Sequence, residues 1–371
     1  MTDDQGSHAA SLEFTRMGAA PADQADPAPA TADRVTTQRL HAQLLAGNPA
    51  RTPIAVAERL LAIQAQDGRG ARLAIRARSR GLTAADVDSA LAERQLVVNW
   101  LCRGTLHMVR SEDHGWLHAL SAPTLLTGNA RRLAQLGVTP AAADRAVAAI
   151  EGALAEEGPL GRRQLGERIA ARRVPTEGQA LIHLLMLACL RGIALRGPMV
   201  GREQAYVLVR DWLGPARPVA REAALAELAA RYLAGHAPAD DRDLARWSGL
   251  PLRDARAGLR AIAPRLRVRR DGLLELAGAR RRASSPPAPR LLGAFEPLLL
   301  GWTSREAILA GCAARVVTGG LFRPFALVRS RAVATWAWRG GAVELEPFGS
   351  LNRDDARALK ADADDVRRFL A

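Results

Sequence analysis

Apolar residues recur along the chain at helical spacing, interrupted by short segments that alternate apolar and polar positions. Thr37 to Gly47, "TQRLHAQLLAG", carries Leu40, Leu44 and Leu45 on one helical face. Thr52-Pro53 supplies an N-cap with proline at the first helical position, which predicts a second helix running to about Ile63. A third helical segment covers Ala71 to Arg80, and Thr83 caps a fourth, "TAADVDSALAERQ". "LVVNWLCRGTLHMVR" then reads as two short strands around Arg103-Gly104.

This order of helices followed by a hairpin, the order of a winged helix, returns twice. Thr139-Pro140 opens "TPAAADRAVAAIEGALAEEG", followed by "LGRRQLGERIA", the apolar "EGQALIHLLMLACLRG" and a hairpin from Ile193 to Val209. From Val219, "VAREAALAELAARYLAGH", "DDRDLARWSGL" and "PLRDARAGLRAI" lead into a strand pair around Asp271-Gly272. A basic Ser/Pro linker covers 279–290. Beyond it, "RVVTGGLFRPFALVRSRAVATWAWRGGAVELEPF" alternates like an antiparallel meander, and Asn352 caps a terminal helix to Leu370. The expected division is a disordered acidic tail at 1–33, winged-helix units at 34–125, 126–214 and 215–278, the linker, and a β-rich unit at 291–371.

Composition and charge narrow the class. The chain has 371 residues and 48% hydrophobic composition, and its sequence has no apolar run near the ~18 residues of a membrane span. A soluble protein of the cytoplasm, associated with the nucleoid, is expected. Cys102, Cys189 and Cys312 lie too far apart for a CxxC site and fit a reducing compartment as small buried residues. The tail sets six carboxylates against Arg16 alone, a net of −5, so a whole-chain charge of +14 leaves +19 on residues 34–371. Such a balance fits a polyanion, most simply nucleic acid. Lys360 is the only lysine.

Within "RLLAIQAQDGRGA", Gln64 and Gln66 interrupt a run that otherwise suits a core. Residues two apart diverge by about 200° on a helix but share a side on extended chain. The helix from Pro53 is therefore expected to end near Gln64, with both amides on non-helical backbone; polar C-capping is the structural alternative. His114 and His118 have the spacing of a metal pair, but no carboxylate motif or third ligand accompanies them. No metal and no cofactor is expected, and His107 reads as a structural histidine able to line a cleft.

"LLAIQAQ", "RGTLHMV", "FEPLLLGW" followed by Arg305, "GLFRPFALV" and "VELEPF" occur in the order seen in the AlkZ-like winged-helix DNA glycosylases, and the chain resembles that family from about residue 36 to its end. The resemblance implies an α+β fold of three tandem winged-helix units followed by a C-terminal antiparallel β-barrel-like unit, C-shaped around a basic cleft. It also implies that Gln64 and Gln66 are catalytic. Where Glu296 and Ser304 stand, the family pattern usually has Asp and an acidic residue, so a cleft role for those positions does not carry over.

The function expected from this resemblance is a monofunctional DNA glycosylase acting, as a monomer, on double-stranded DNA that carries a bulky or cross-linking N7-alkylated purine. Relatives include self-resistance proteins of organisms that make DNA-alkylating antibiotics. With one lysine, an amine-dependent strand-nicking step is not expected. The alternative is a non-catalytic winged-helix regulator. Candidate DNA contacts are Arg69, Arg72, Arg103, His107, Arg267 and Arg269, with Trp302, Arg305 and Arg323 from the β-rich unit. Further arginines at 76, 78, 162, 163, 265, 270 and 280–282 extend the basic surface.

Overall fold

The computed structural model describes residues 29–215, 218–278 and 287–371, with side chains from residue 34 onward. In the first part, α1 (Pro29–Ala42), α2 (Pro53–Leu60), β1 (Ile63–Gln64), α3 (Gly68–Arg78) and α4 (Ala84–Ala92) precede β2 (Leu96–Trp100) and β3 (Leu106–Arg110). Caps set several starts: the Thr52 hydroxyl accepts from Ala55 N at 3.1 Å, and Thr83 and Asp86 form a reciprocal capping box. Helix α1 reaches back to residue 29, so the expected tail is partly folded; residues 1–28 lie outside the described residues.

Next come α5 (Ser111–Gln135), α6 (Pro140–Glu157), α7 (Arg162–Ala170), α8 (Ala180–Leu190), β4 (Ala194–Val200), β5 (Glu203–Leu208) and α9 (Val209–Leu213). Ser111 does not cap α5: its hydroxyl donates to Arg94 O at 2.5 Å, and Arg110 occupies the cap position. Helix α8 is apolar on every side because it is buried along its length. The third group is α10 (Arg221–His236), α11 (Asp241–Ser248), α12 (Leu252–Ala261), β6 (Leu266–Val268) and β7 (Leu274–Leu276).

The two first hairpins join side by side in one antiparallel sheet of order β1-β3-β2-β4-β5. Position 125/126 falls inside the continuous helix α5. One apolar cluster runs from α2, α3 and α4 through α6 and α8 to the last helix, and a second links α1, α5 and α10 to the C-terminal part. The segments are thus packed across the chain rather than as beads on a string.

The C-terminal part holds β8 (Arg290–Leu292), the short helices α13 (Glu306–Leu309) and α14 (Ala313–Val316), β9 (Val317–Thr318), β10 (Leu321–Phe322), β11 (Phe325–Val328), β12 (Arg331–Arg339), β13 (Ala342–Pro347) and α15 (Arg353–Leu370). The barrel expectation is corrected here. Among the described residues the sheet is open, ordered β13-β12-β11-β8, with β9 and β10 as a separate pair. Side chains occupy the edge of β8: Leu291 N donates to the Asp362 carboxylate of α15 at 2.7 Å, and Arg76 of α3 donates to Leu291 O at 2.9 Å. No hydrogen-bonding edge is left there for a closing strand.

Candidate functional site

The backbone around the two glutamines is extended. Helix α2 stops at Leu60, Leu61 takes a φ of 65°, and β1 pairs antiparallel with β3 so that Gln64 lies opposite His107. Ala65 N donates to Leu106 O at 2.7 Å, continuing the ladder one residue further. Neither glutamine caps α2. Asp67 caps the following helix instead, its carboxylate accepting from Gly70 N. Strand β1 ends at Gln64 and the chain bends at Gln66, and exposure differs: Gln66 is exposed, whereas Gln64 is buried at 6%.

Arg103 accounts for that burial. It sits in the tight turn between β2 and β3 with a φ of 58°. One of its NH2 groups donates to Gln64 Oε1 at 3.0 Å and lies 3.3 Å from His107 Nε2, while the other donates to the Trp247 carbonyl. Gly249, just past α11, permits this contact: its φ is +76°, and a Cβ there would lie 2.7 Å from Arg103 N.

Donors and acceptors fix both amides. A guanidinium and a backbone N–H can only donate, so Gln64 Oε1 faces Arg103 and Gln66 Oε1 faces Leu106 N at 2.9 Å. Each Nε2 is thereby turned away from these partners, and each oxygen retains one lone pair. His107 Nδ1 lies 2.9 Å from Thr105 O, which assigns the ring proton to Nδ1. Burial, with Arg103 beside it, holds the His107 pKa down at about 3, so the ring is neutral at pH 7. It cannot serve there as a protonated acid.

The other candidates separate into exposed and occupied groups. Arg69 and Arg323 are exposed. Arg72 is turned onto Asp88 and Gly68 O, Arg267 pairs with Glu275, and Arg269 bonds Gln38, Asp271 and Glu275. Arg76 and Arg78 are fully interior, paired with Asp362 and Glu296. Glu296 is thus a buried structural partner, and Ser304 accepts from Glu306 N at 3.3 Å.

Trp302 cannot stack on a base from this position. It is 2% exposed, donates to His236 O at 3.0 Å and has Arg39 over its ring. Arg280 to Arg282 lie outside the described residues. His114 contacts Asn99 and His118 contacts Cys189 O, each histidine held below its ordinary pKa chiefly by burial. Cys102 and Cys189 are buried and Cys312 is half-buried. Among the described residues no group of three or more His, Cys, Asp and Glu is arranged to hold a metal, and no helix is long and apolar enough to cross a membrane.

One residue near the site escaped the sequence reading. Arg246 stands exposed in the last turn of α11, beside the Trp247 carbonyl that receives Arg103. Arg305 is half-buried, donates to Leu299 O at 2.5 Å and lies over the Phe322 ring. After burial, the charges of Arg246 and Arg103 are what lower the Arg305 pKa. Arg246 was hidden because "DDRDLARW" has the charge pattern of any solvated helix face.

This chain belongs to the family of AlkZ-like DNA glycosylases, whose model matches residues 57–369. It is 26% identical over 355 residues to the interstrand DNA cross-link repair glycosylase of Streptomyces sahachiroi, an alignment covering 90% of this chain and 95% of that one. The solved structure of Streptomyces sahachiroi DNA glycosylase AlkZ has the same mixed α/β fold, with a TM-score of 0.73 at 23% identity over 91% of this chain and 96% of that one.

Proposed function

We propose that this chain hydrolyses the N-glycosidic bond of bulky or cross-linking N7-alkylated purines in duplex DNA, with Gln64 and Gln66 as the catalytic pair. The observation that carries the assignment is the pair itself: two side chains outside any helix, each amide fixed in orientation by a donor that cannot be exchanged for an acceptor. The interstrand cross-link glycosylase named above is the relative that suggests the substrate. In this reading the helix and hairpin groups are winged units, and the duplex lies along the side where Gln66 is exposed.

The chemistry suits weak catalysts. Alkylation at N7 gives the purine a positive charge, so when the C1′–N9 bond breaks the electron pair moves to the ring and the base leaves neutral. A water molecule then bonds to C1′ and loses its proton to solvent, giving an abasic sugar. An amide is too weak a base to take that proton. It can hold the water through the lone pair left on Oε1, and present a carbonyl dipole to an oxocarbenium-like sugar. His107, neutral and buried, is a support for Arg103 and takes no part in proton transfer.

Direct hydrolysis is the expected outcome. Lys360 is exposed on α15, far along the chain from the glutamines, and no amine stands among the described residues contacting them. The test is incubation with a duplex carrying one N7-alkylguanine, read for free base and for strand breaks with and without alkali, plus borohydride trapping. Free base with breaks only after alkali supports the reading. Absence of free base across a panel of bulky adducts, with tight binding to a defined operator, identifies a regulator instead.

A further inference from the structure

The chain carries a cluster of positive charge beside the glutamines that it does not neutralise itself. Arg103, Arg246 and Arg305 come from three places that the fold ties together: Arg103 of the β2–β3 turn donates to the Trp247 carbonyl next to Arg246 at the end of α11, and in the segment before α13 Thr303 N, two residues before Arg305, donates to Asp243 of α11 at 2.9 Å. The hydrogen bonds of Arg103 and Arg305 go to Gln64, His107 and backbone carbonyls, and among the described residues none of the three forms an ion pair. Elsewhere, arginines close to the same elements are neutralised: Arg39 by Asp243, Arg78 by Glu296, Arg256 by Asp241.

Mutual repulsion accompanies this arrangement. Burial first, then the neighbouring Arg246, lowers the Arg103 pKa, and no carboxylate is among the groups that act on Arg103 or Arg305. Holding several guanidinium groups together without an anion is unfavourable. A reaction that builds positive charge on a sugar beside them would be slowed further. Both costs vanish when an anion occupies the cluster, and several planar donors gathered together match a tetrahedral phosphate.

We infer that Arg103, Arg246 and Arg305 form a seat for one backbone phosphate of the lesion-bearing strand, placed so that the adjoining sugar meets Gln64 and Gln66. Arg246, exposed and in no ion pair among the described residues, makes the outermost contact, and Arg103 links the seat to the catalytic amide. The seat rests on the glycosylase reading for its purpose but not for its detection, because phosphate binding occurs on undamaged DNA as well.

The experiment is the salt dependence of binding to an undamaged random-sequence duplex, for the full chain, Arg246→Gln, Arg305→Gln and the control Arg357→Gln, whose residue is exposed and pairs with Asp354. Arg246→Gln should reduce the log-log slope by about 0.9 and weaken binding several-fold at low salt, with Arg305→Gln acting likewise and the control changing neither. On an N7-alkylguanine duplex, Arg246→Gln should lower kcat/KM several-fold. A slope and affinity equal to the parent in both Arg246→Gln and Arg305→Gln overturn the seat, even where base release is normal. A reduced slope in a protein that releases no base keeps the seat and removes the glycosylase reading.

Discussion

Arg103 donates to the side-chain oxygen of Gln64 at 3.0 Å while its other terminal nitrogen reaches the carbonyl of Trp247, so one guanidinium ties the Gln-x-Gln strand to helix α11. The contact decides which way the Gln64 amide points and explains why a polar side chain near the surface is only 6% exposed. Replacing Arg103 with lysine keeps a positive charge but loses the planar fork that spans both acceptors. We expect Arg103→Lys to lower kcat by about 10-fold to 100-fold, the scale of a 1 Å misplacement, with a much smaller change in DNA affinity. Single-turnover base release beside a binding titration checks this, and an unchanged kcat would show that the Gln64 orientation does not matter.

Gly249 should be nearly irreplaceable. A side chain there must adopt a φ of +76° and place its Cβ 2.7 Å from Arg103 N, against backbone that cannot yield. Gly249→Ala is expected to cost about 1 to 3 kcal/mol and to slow base release as the Arg103 turn shifts. Thermal unfolding and the single-turnover rate together test it; a variant as stable and fast as the parent contradicts the close approach.

The Arg78 and Glu296 side chains, both 0% exposed, join α3 to the segment after β8. Removing one charge strands the other in the interior, at about 3 to 5 kcal/mol. Glu296→Ala should therefore lower the melting temperature by several degrees, readable by calorimetry, whereas an exposed pair such as Arg357 and Asp354 should show almost no effect when broken.

Acid should destabilise the fold early. His107, His114 and His236 are each lowered from 6.5 to about 3, mainly by burial. Between those values the unfolded chain binds protons that the folded chain refuses, so stability rises with pH there and is lost as pH falls from about 6.5 toward 3. At pH 5 the loss is on the order of 1 to 2 kcal/mol per histidine. Urea titrations at pH 7.5 and 5.0 measure it; equal midpoints would show that these rings protonate in the folded state.

The end of α2 before the two glutamines was legible in the sequence for a local reason. Thr52-Pro53 fixes where α2 begins and Asp67 starts α3, so the short stretch between them leaves the helix, and Ile63 and Gln64 pair as strand with β3. The unequal burial of the pair was not legible, because Arg103 reaches Gln64 from 39 positions away in sequence and is itself held by the Trp247 carbonyl, 144 positions further on. Trp302 was read wrongly for the same reason: nothing near it announces that Arg39 covers one face and that His236 takes its indole N–H. Hairpins and caps depend on neighbours in sequence, while the shared sheet of β2 and β4 and the capped edge of β8 depend on residues brought together from far apart.

The rate of base release from an N7-alkylguanine duplex under single-turnover conditions, compared among the parent, Gln64→Ala, Gln66→Ala and the double variant, shows whether the two amides act on the sugar. Both single variants should fall by at least about 10-fold while retaining DNA affinity, and the double variant should fall by less than the product of the two, as groups acting on one water do. Rates equal to the parent in both single variants would mean that neither glutamine takes part in base release.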